Sequence, residues 1–220
     1  MKKAFTMIEV VFVLIVIGIL VAVIMPELKS NKLREAAIQV ASHIRYTQHL
    51  AMVDDKYDSS NPNWYRERWI MLFGTSNSGN KNTHGKIAYS IFSDRDNGTG
   101  HDSKPNLTEL AFDTINRSKY LSGGYSGILD TYNPRANKGM NLGISYDVDV
   151  YFKGGCESAT IKRITFDHLG RPIKGTINRL NKAYEDNKLI QTRCEIVLED
   201  SEGSVTIAIE PETGYTHILD

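Results

Sequence analysis

The chain has 220 residues, and its 26 Lys plus Arg are balanced by 26 Asp plus Glu, so the formal net charge is zero. That balance offers no overall attraction to nucleic acid or to an acidic partner. No internal repeat or low-complexity tract interrupts the chain. It carries no G-x-S-x-G, H-E-x-x-H or phosphate-cradling glycine motif. The six His (43, 49, 84, 101, 168 and 217) are scattered without ligand spacing, so the composition reads as a non-enzymatic protein without a cofactor.

The first twenty-six residues carry the strongest pattern. Lys2 and Lys3 precede a run from Phe5 to Met25 in which Glu9 is the single charge, and the run ends at Pro26. At about 1.5 Å per residue a helix over this run is long enough for the roughly 30 Å hydrocarbon core of a bilayer, so a transmembrane helix is expected. A lone carboxylate costs about 2.5–3.5 kcal/mol at mid-bilayer, so Glu9 needs a partner or a task. A cleaved secretory signal fits poorly, because the apolar run is long and no small-x-small site follows it.

Beyond Pro26, which should kink or loosen the helix rather than end it, Leu33, Ala36/Ala37, Val40/Ala41, Ile44 and Ala51 recur at three- and four-residue spacing. Lys32, Arg34, Glu35, Gln39 and Arg45 fall on the other faces. This is one amphipathic stripe. The expectation is a helix from about residue 5 to residue 53, lipid-embedded at first and amphipathic afterwards, stopped by Asp54-Asp55-Lys56 and the polar run 58–63.

The roughly 165 residues that follow suffice for one modest domain with its own core. They alternate short apolar runs with Gly, Asn, Ser and Asp. Strands are expected at 69–73, 87–92, 144–152, 163–166, 172–177, 194–198, 205–209 and 215–218. Hairpin turns are expected at Asp200–Ser204 and Glu212–Gly214. The fold class is therefore α+β: a long N-terminal helix, membrane-spanning in its first half and amphipathic in its second, packed on an antiparallel β-sheet domain. The divisions are 1–4, 5–25, 26–54 and 55–220.

The segment Ala4-Phe5-Thr6-Met7-Ile8-Glu9 and its apolar continuation resemble the class III signal of type IV pilins and type II secretion pseudopilins, with Ala in place of the usual Gly and Met in place of Leu. The resemblance implies cleavage between Ala4 and Phe5 by a prepilin peptidase and N-methylation of Phe5. It also implies assembly through Glu9, whose carboxylate would pair with the Phe5 amine of a neighbouring subunit in low dielectric. Gly18 and Pro26 stand where such helices carry flexible residues.

A second resemblance lies in Ile164-Thr165-Phe166-Asp167-His168-Leu169-Gly170-Arg171-Pro172 and in the ending 205–215, which are similar to the GspH/FimT-type minor pseudopilins. On this reading the chain is a minor pseudopilin of a type II secretion system. It would be a single-pass protein of the bacterial inner membrane with its C-terminal domain in the periplasm, its partners being other pilin or pseudopilin subunits, the prepilin peptidase and the inner-membrane assembly platform. The alternative is a minor type IV pilin of a pilus or DNA-uptake system that binds DNA or a surface, for which Arg163, Arg171, Lys174, Arg179, Lys182, Lys188 and Arg193 could form a basic face.

Two further features need a structure. Cys156 and Cys194 are the only cysteines. If the domain lies outside the cytoplasm, as Lys2 and Lys3 suggest by the positive-inside rule, a disulfide is the default and two free thiols the alternative. The loop 93–102 clusters Asp94, Asp96 and Asp102 with Asn and Gly, oxygen donors suited to calcium. It lacks EF-hand spacing, and a solvated turn is the plainer reading.

Overall fold

In the computed structural model, the structure describes residues 6–77, 82–96, 100–125, 129–158, 162–185 and 187–219, apart from the side chains of residues 23–31. Helix α1 (Met7–Val53) runs unbroken through position 26. It closes where the Asp54 amide bonds back to the Leu50 carbonyl (2.9 Å), and the Asp54 carboxylate there accepts the indole N–H of Trp69 (2.9 Å). The stripe expected from periodicity is the buried face: Leu33, Ala36, Ala37, Val40, Ala41, Ile44 and Ala51 all enter the core. Four of these seven are alanines, so the helix backbone can approach the sheets closely.

Among the described residues eight strands form two antiparallel sheets of four, where one sheet domain was expected. In the first the order is β2 (Ala88–Ser93), β1 (Trp69–Gly74), β4 (Lys162–Phe166), β5 (Pro172–Ile173). In the second it is β3 (Asp149–Gly154), β6 (Cys194–Glu199), β7 (Ser204–Ile209), β8 (Thr216–Leu219). Register follows from the two-residue alternation: Met71 opposes Ile91 and Ile164, while Ile196 opposes Phe152 and Ile207. Helix α1 touches β1 and β4 of one sheet and β6, β7 and β8 of the other, so a single apolar stripe seals both. The first sheet is covered on its far side too. Ile70, Leu72 and Phe92 pack there with Tyr65, Leu110, Tyr120, Leu129, Ile177 and Leu180. Burial on both faces explains why Trp69–Phe73 reads as a continuous apolar run rather than an alternation.

Two strands were drawn too long from sequence. The expected 144–152 strand begins only at Asp149, because residues 144 and 145 belong to a one-turn helix α2 (Leu142–Ser145), which Asn141 caps by accepting the Ile144 amide (3.0 Å). The short side-chain carbonyl outcompetes the local β-branched preference. The 172–177 strand stops after Ile173, because Gly175 adopts φ +81° and Ile177–Arg179 wind into a 3-10 turn.

The membrane-spanning first half of the helix is also corrected. Among the described residues no helix is long and apolar enough to cross a membrane. The apolar run also carries a charge, Glu9, at the third position of the helix.

Cys156 and Cys194 are disulfide-bonded, with Cα atoms 5.0 Å apart. The bond joins the exit of β3 to the start of β6 within the second sheet. The 38-residue separation it closes carries β4 and β5 over to the first sheet and back. Reducing the bond should lower stability by about 2–4 kcal/mol and the melting temperature by on the order of 10 °C. Thermal denaturation with and without a thiol reductant checks this.

A polar network lies beside the stripe. Gln39 Nε2 donates to the Tyr89 hydroxyl (2.9 Å) and to the Gly139 carbonyl (2.9 Å), and the Tyr146 hydroxyl donates to Gln39 Oε1 (3.0 Å). With its oxygen accepting from Gln39, the Tyr89 hydroxyl donates its proton to His43 Nδ1 (2.7 Å), which requires a neutral imidazole. Burial lowers the His43 pKa from 6.5 to about 4. The folded state thus resists protonation that the unfolded state accepts. The contribution is complete above pH 6.5 and is lost as pH falls toward 4, in total on the order of 3 kcal/mol. His43→Gln should flatten the pH dependence of unfolding free energy between pH 7 and 4.5 relative to the parent chain, and parallel curves would refute this.

Candidate functional site

The feature that distinguishes this molecule from a self-contained domain is the first part of α1. From Met7 to Val21, thirteen large apolar side chains are exposed on every face, including Met7 at 90 % and Phe12 at 68 %. A Cβ placed on Gly18 would meet nothing within 4 Å, so this position lies open to whatever packs against the arm. Each large side chain gains about 1.5–3 kcal/mol when fully buried, so the arm is driven strongly toward any apolar surface that can cover it.

Glu9 sits on this arm. It is the third residue of the helix, and its carboxylate accepts the backbone amide of Thr6 (3.4 Å). Thr6-x-x-Glu9 is a capping-box pattern, a signal present in the sequence that the reading of Glu9 as an assembly residue overlooked. The same carboxylate, four residues beyond Phe5 and exposed, is open to a cation brought by another molecule. Ala4, Phe5 and the side chain of Pro26 lie outside the described residues.

The arm is held rigidly at its base. Gln48 Nε2 donates to the Gly170 carbonyl (2.9 Å) and to the Thr213 carbonyl (2.8 Å). Arg45 donates through Nε (3.1 Å) and Nη2 (2.8 Å) to the Thr216 carbonyl. The polar residues Gln39 and Arg45, placed away from the stripe by periodicity, are therefore docking contacts rather than a solvated face. Gly170 belongs to the Asp167–Pro172 motif, which is a tight turn between β4 and β5. Gly170 adopts φ +78°, and the buried Asp167 carboxylate accepts the amides of Leu169 (3.0 Å) and Arg171 (2.8 Å) and the Arg171 guanidinium (2.7 Å). The motif presents its turn to the helix, and Arg171 is consumed within it.

The acidic loop is organised by its own backbone. Asp94 Oδ2 accepts the Ser103 amide (2.7 Å), Asp96 Oδ1 the Gly100 amide (3.1 Å) and Asp102 Oδ1 the Lys104 amide (2.8 Å). Burial pushes the Asp94 carboxyl up to about 6. Among the described residues no group of three or more His, Cys, Asp or Glu is arranged to hold a metal. Of the seven basic residues considered for DNA, three are withdrawn from solvent or already paired. Arg163 is buried, Arg171 is paired with Asp167 and Arg193 is paired with Glu210 (2.8 Å).

Comparison with known proteins returned no matching family model, no matching curated protein and no matching solved structure.

Since Leu33 is the first core residue among those described, removing residues 1–31 should leave a folded domain whose melting temperature lies within a few degrees of the parent, and any self-association the parent shows should be lost. Size-exclusion chromatography with light scattering on the two forms checks this. A truncated chain that still associates would place the contact elsewhere.

Proposed function

We propose that the chain is a structural subunit of a pilin-like filament, a minor pseudopilin that assembles through its N-terminal helix and turns over no substrate. The observation that carries this reading is the apolar arm itself, joined by an unbroken helix to a folded domain and covered by none of the described residues. Coverage by the equivalent helices of neighbouring subunits would bury it along its length, and helices that run alongside one another do so with minimal exposed apolar surface. The resemblance of residues 4–9 to the class III signal supports the same reading. So does the disulfide, which belongs to an oxidising compartment such as the periplasm.

On this proposal a prepilin peptidase cuts between Ala4 and Phe5 and methylates the new amine. Glu9 then exchanges its bond to the Thr6 amide for an ion pair with the Phe5 amine of a neighbour. Within an apolar helix bundle an unpaired carboxylate is strongly disfavoured, so the pair selects subunits in the correct axial register. The type II secretion machine is preferred over a DNA-binding pilus because three of the seven basic residues, Arg163, Arg171 and Arg193, are buried or already paired.

Mass spectrometry after incubation with a prepilin peptidase and a sulfonium methyl donor should show loss of residues 1–4 and gain of one methyl group. Glu9→Val should leave cleavage intact and reduce incorporation into filaments roughly tenfold, the equivalent of about 1.4 kcal/mol, read by sedimentation of sheared filaments. Incorporation equal to the parent would sink the proposal.

A further inference from the structure

Arg163 of β4 lies on the far face of the first sheet, opposite Leu72 of β1, and is 6 % exposed. Its Nη2 donates to the Ser103 carbonyl (3.0 Å), but Nε and Nη1 are buried and have no acceptor. A guanidinium is charged at every accessible pH, and leaving its donors unmet in the interior is among the costlier defects a fold can carry.

The surroundings do not repair it. Ser103 adopts φ +58° and so turns its carbonyl to Arg163 and its amide to Asp94, whose carboxylate makes no hydrogen bond to Arg163. Asp94 is the principal negative charge acting on the guanidinium, and burial disfavours its own ionised form. The Ser103 hydroxyl is likewise buried without a partner. Arg163 and Ser103 line a cleft of about 220 Å³ between the loop at residues 102–104, Tyr125 and the 3-10 turn Ile177–Arg179. Lys104, Lys162 and Arg179 also line it, against a single carboxylate from Asp102. Lys162 is partly committed, donating to the Val150 carbonyl (2.6 Å), whereas Lys104 and Arg179 are exposed at the rim.

We propose that this cleft binds an oxyanion group, a phosphate or a carboxylate, which supplies the acceptors that Arg163 Nε and Nη1 lack, takes the Ser103 hydroxyl as a further donor and is closed over by Lys104 and Arg179. Charge-assisted bonds from a desolvated guanidinium are the strong kind, and a pre-formed donor set loses little freedom on binding. The ligand is a small anion or one anionic group of a larger molecule, because the deepest donors, on Arg163 and Ser103, are buried. The site lies on the face of the first sheet turned away from α1, so its occupancy is separate from assembly through the helix.

Isothermal titration of the full chain, kept in solution by a non-ionic detergent at constant chloride, with sodium phosphate in one arm and sodium acetate in the other, tests this. Saturable binding in at least one arm is expected, and the stronger arm identifies the group. Arg163→Met should weaken it ~tenfold or more, and the rim variant Lys104→Ala/Arg179→Ala by ~threefold or more. The rim residues are exposed, so that double variant decides the matter if Arg163→Met does not fold. Absence of saturable binding in both arms, or affinity unchanged in the rim variant, overturns the proposal.

Discussion

The docking of residues 33–51 against two sheets at once is the contact on which the rest of the molecule depends. Neither sheet alone surrounds a core. The helix stripe meets Phe73, Tyr89 and Phe166 of the first and Ile196, Ile207 and Ile209 of the second within one apolar cluster. Alanine at four of seven stripe positions trades buried area for close backbone approach, and that approach lets Gln39, Arg45 and Gln48 reach backbone carbonyls and a tyrosine hydroxyl across the interface. Apolar contact supplies the drive. The hydrogen bonds, each satisfied by a partner fixed in a turn or strand end, choose the rotation and height of the helix.

The disulfide acts on the other weak point of this topology. The chain leaves the second sheet after β3, contributes β4 and β5 to the first, and returns as β6. Contacts so distant in sequence are costly to form. A covalent tie between Cys156 and Cys194 keeps β3 and β6 neighbours however far the intervening segment strays. Together, the stripe joins the sheets to the helix and the disulfide holds the excursion between them.

Much of this was legible in the residues. The stripe of α1 and all eight strand positions followed from period and β-branched content, because burial on one face leaves an unambiguous mark. What failed had physical reasons. Asn141 and Gly175 reset the backbone locally, and neither effect shows in hydrophobic periodicity. The division into two sheets depends on pairings between β1 and β4 and between β3 and β6, which no local pattern encodes. The apolar arm was read as a bilayer span from the length of its run, yet among the described residues no helix is long and apolar enough to cross a membrane, and the capping-box spacing of Glu9 to Thr6 was visible and went unread. The orphaned Arg163 was the least legible feature, since an Arg in a strand looks like an ordinary edge residue until its burial and missing acceptors are known.

Gln48 places a single amide nitrogen between the Gly170 carbonyl, in the hairpin of the first sheet, and the Thr213 carbonyl, in the hairpin of the second. Tension applied along the helix axis would accordingly be divided between both hairpins and resisted in shear, with many contacts loaded together instead of peeling one after another. A rod anchored in this manner transmits force to the whole domain before any single strand can detach.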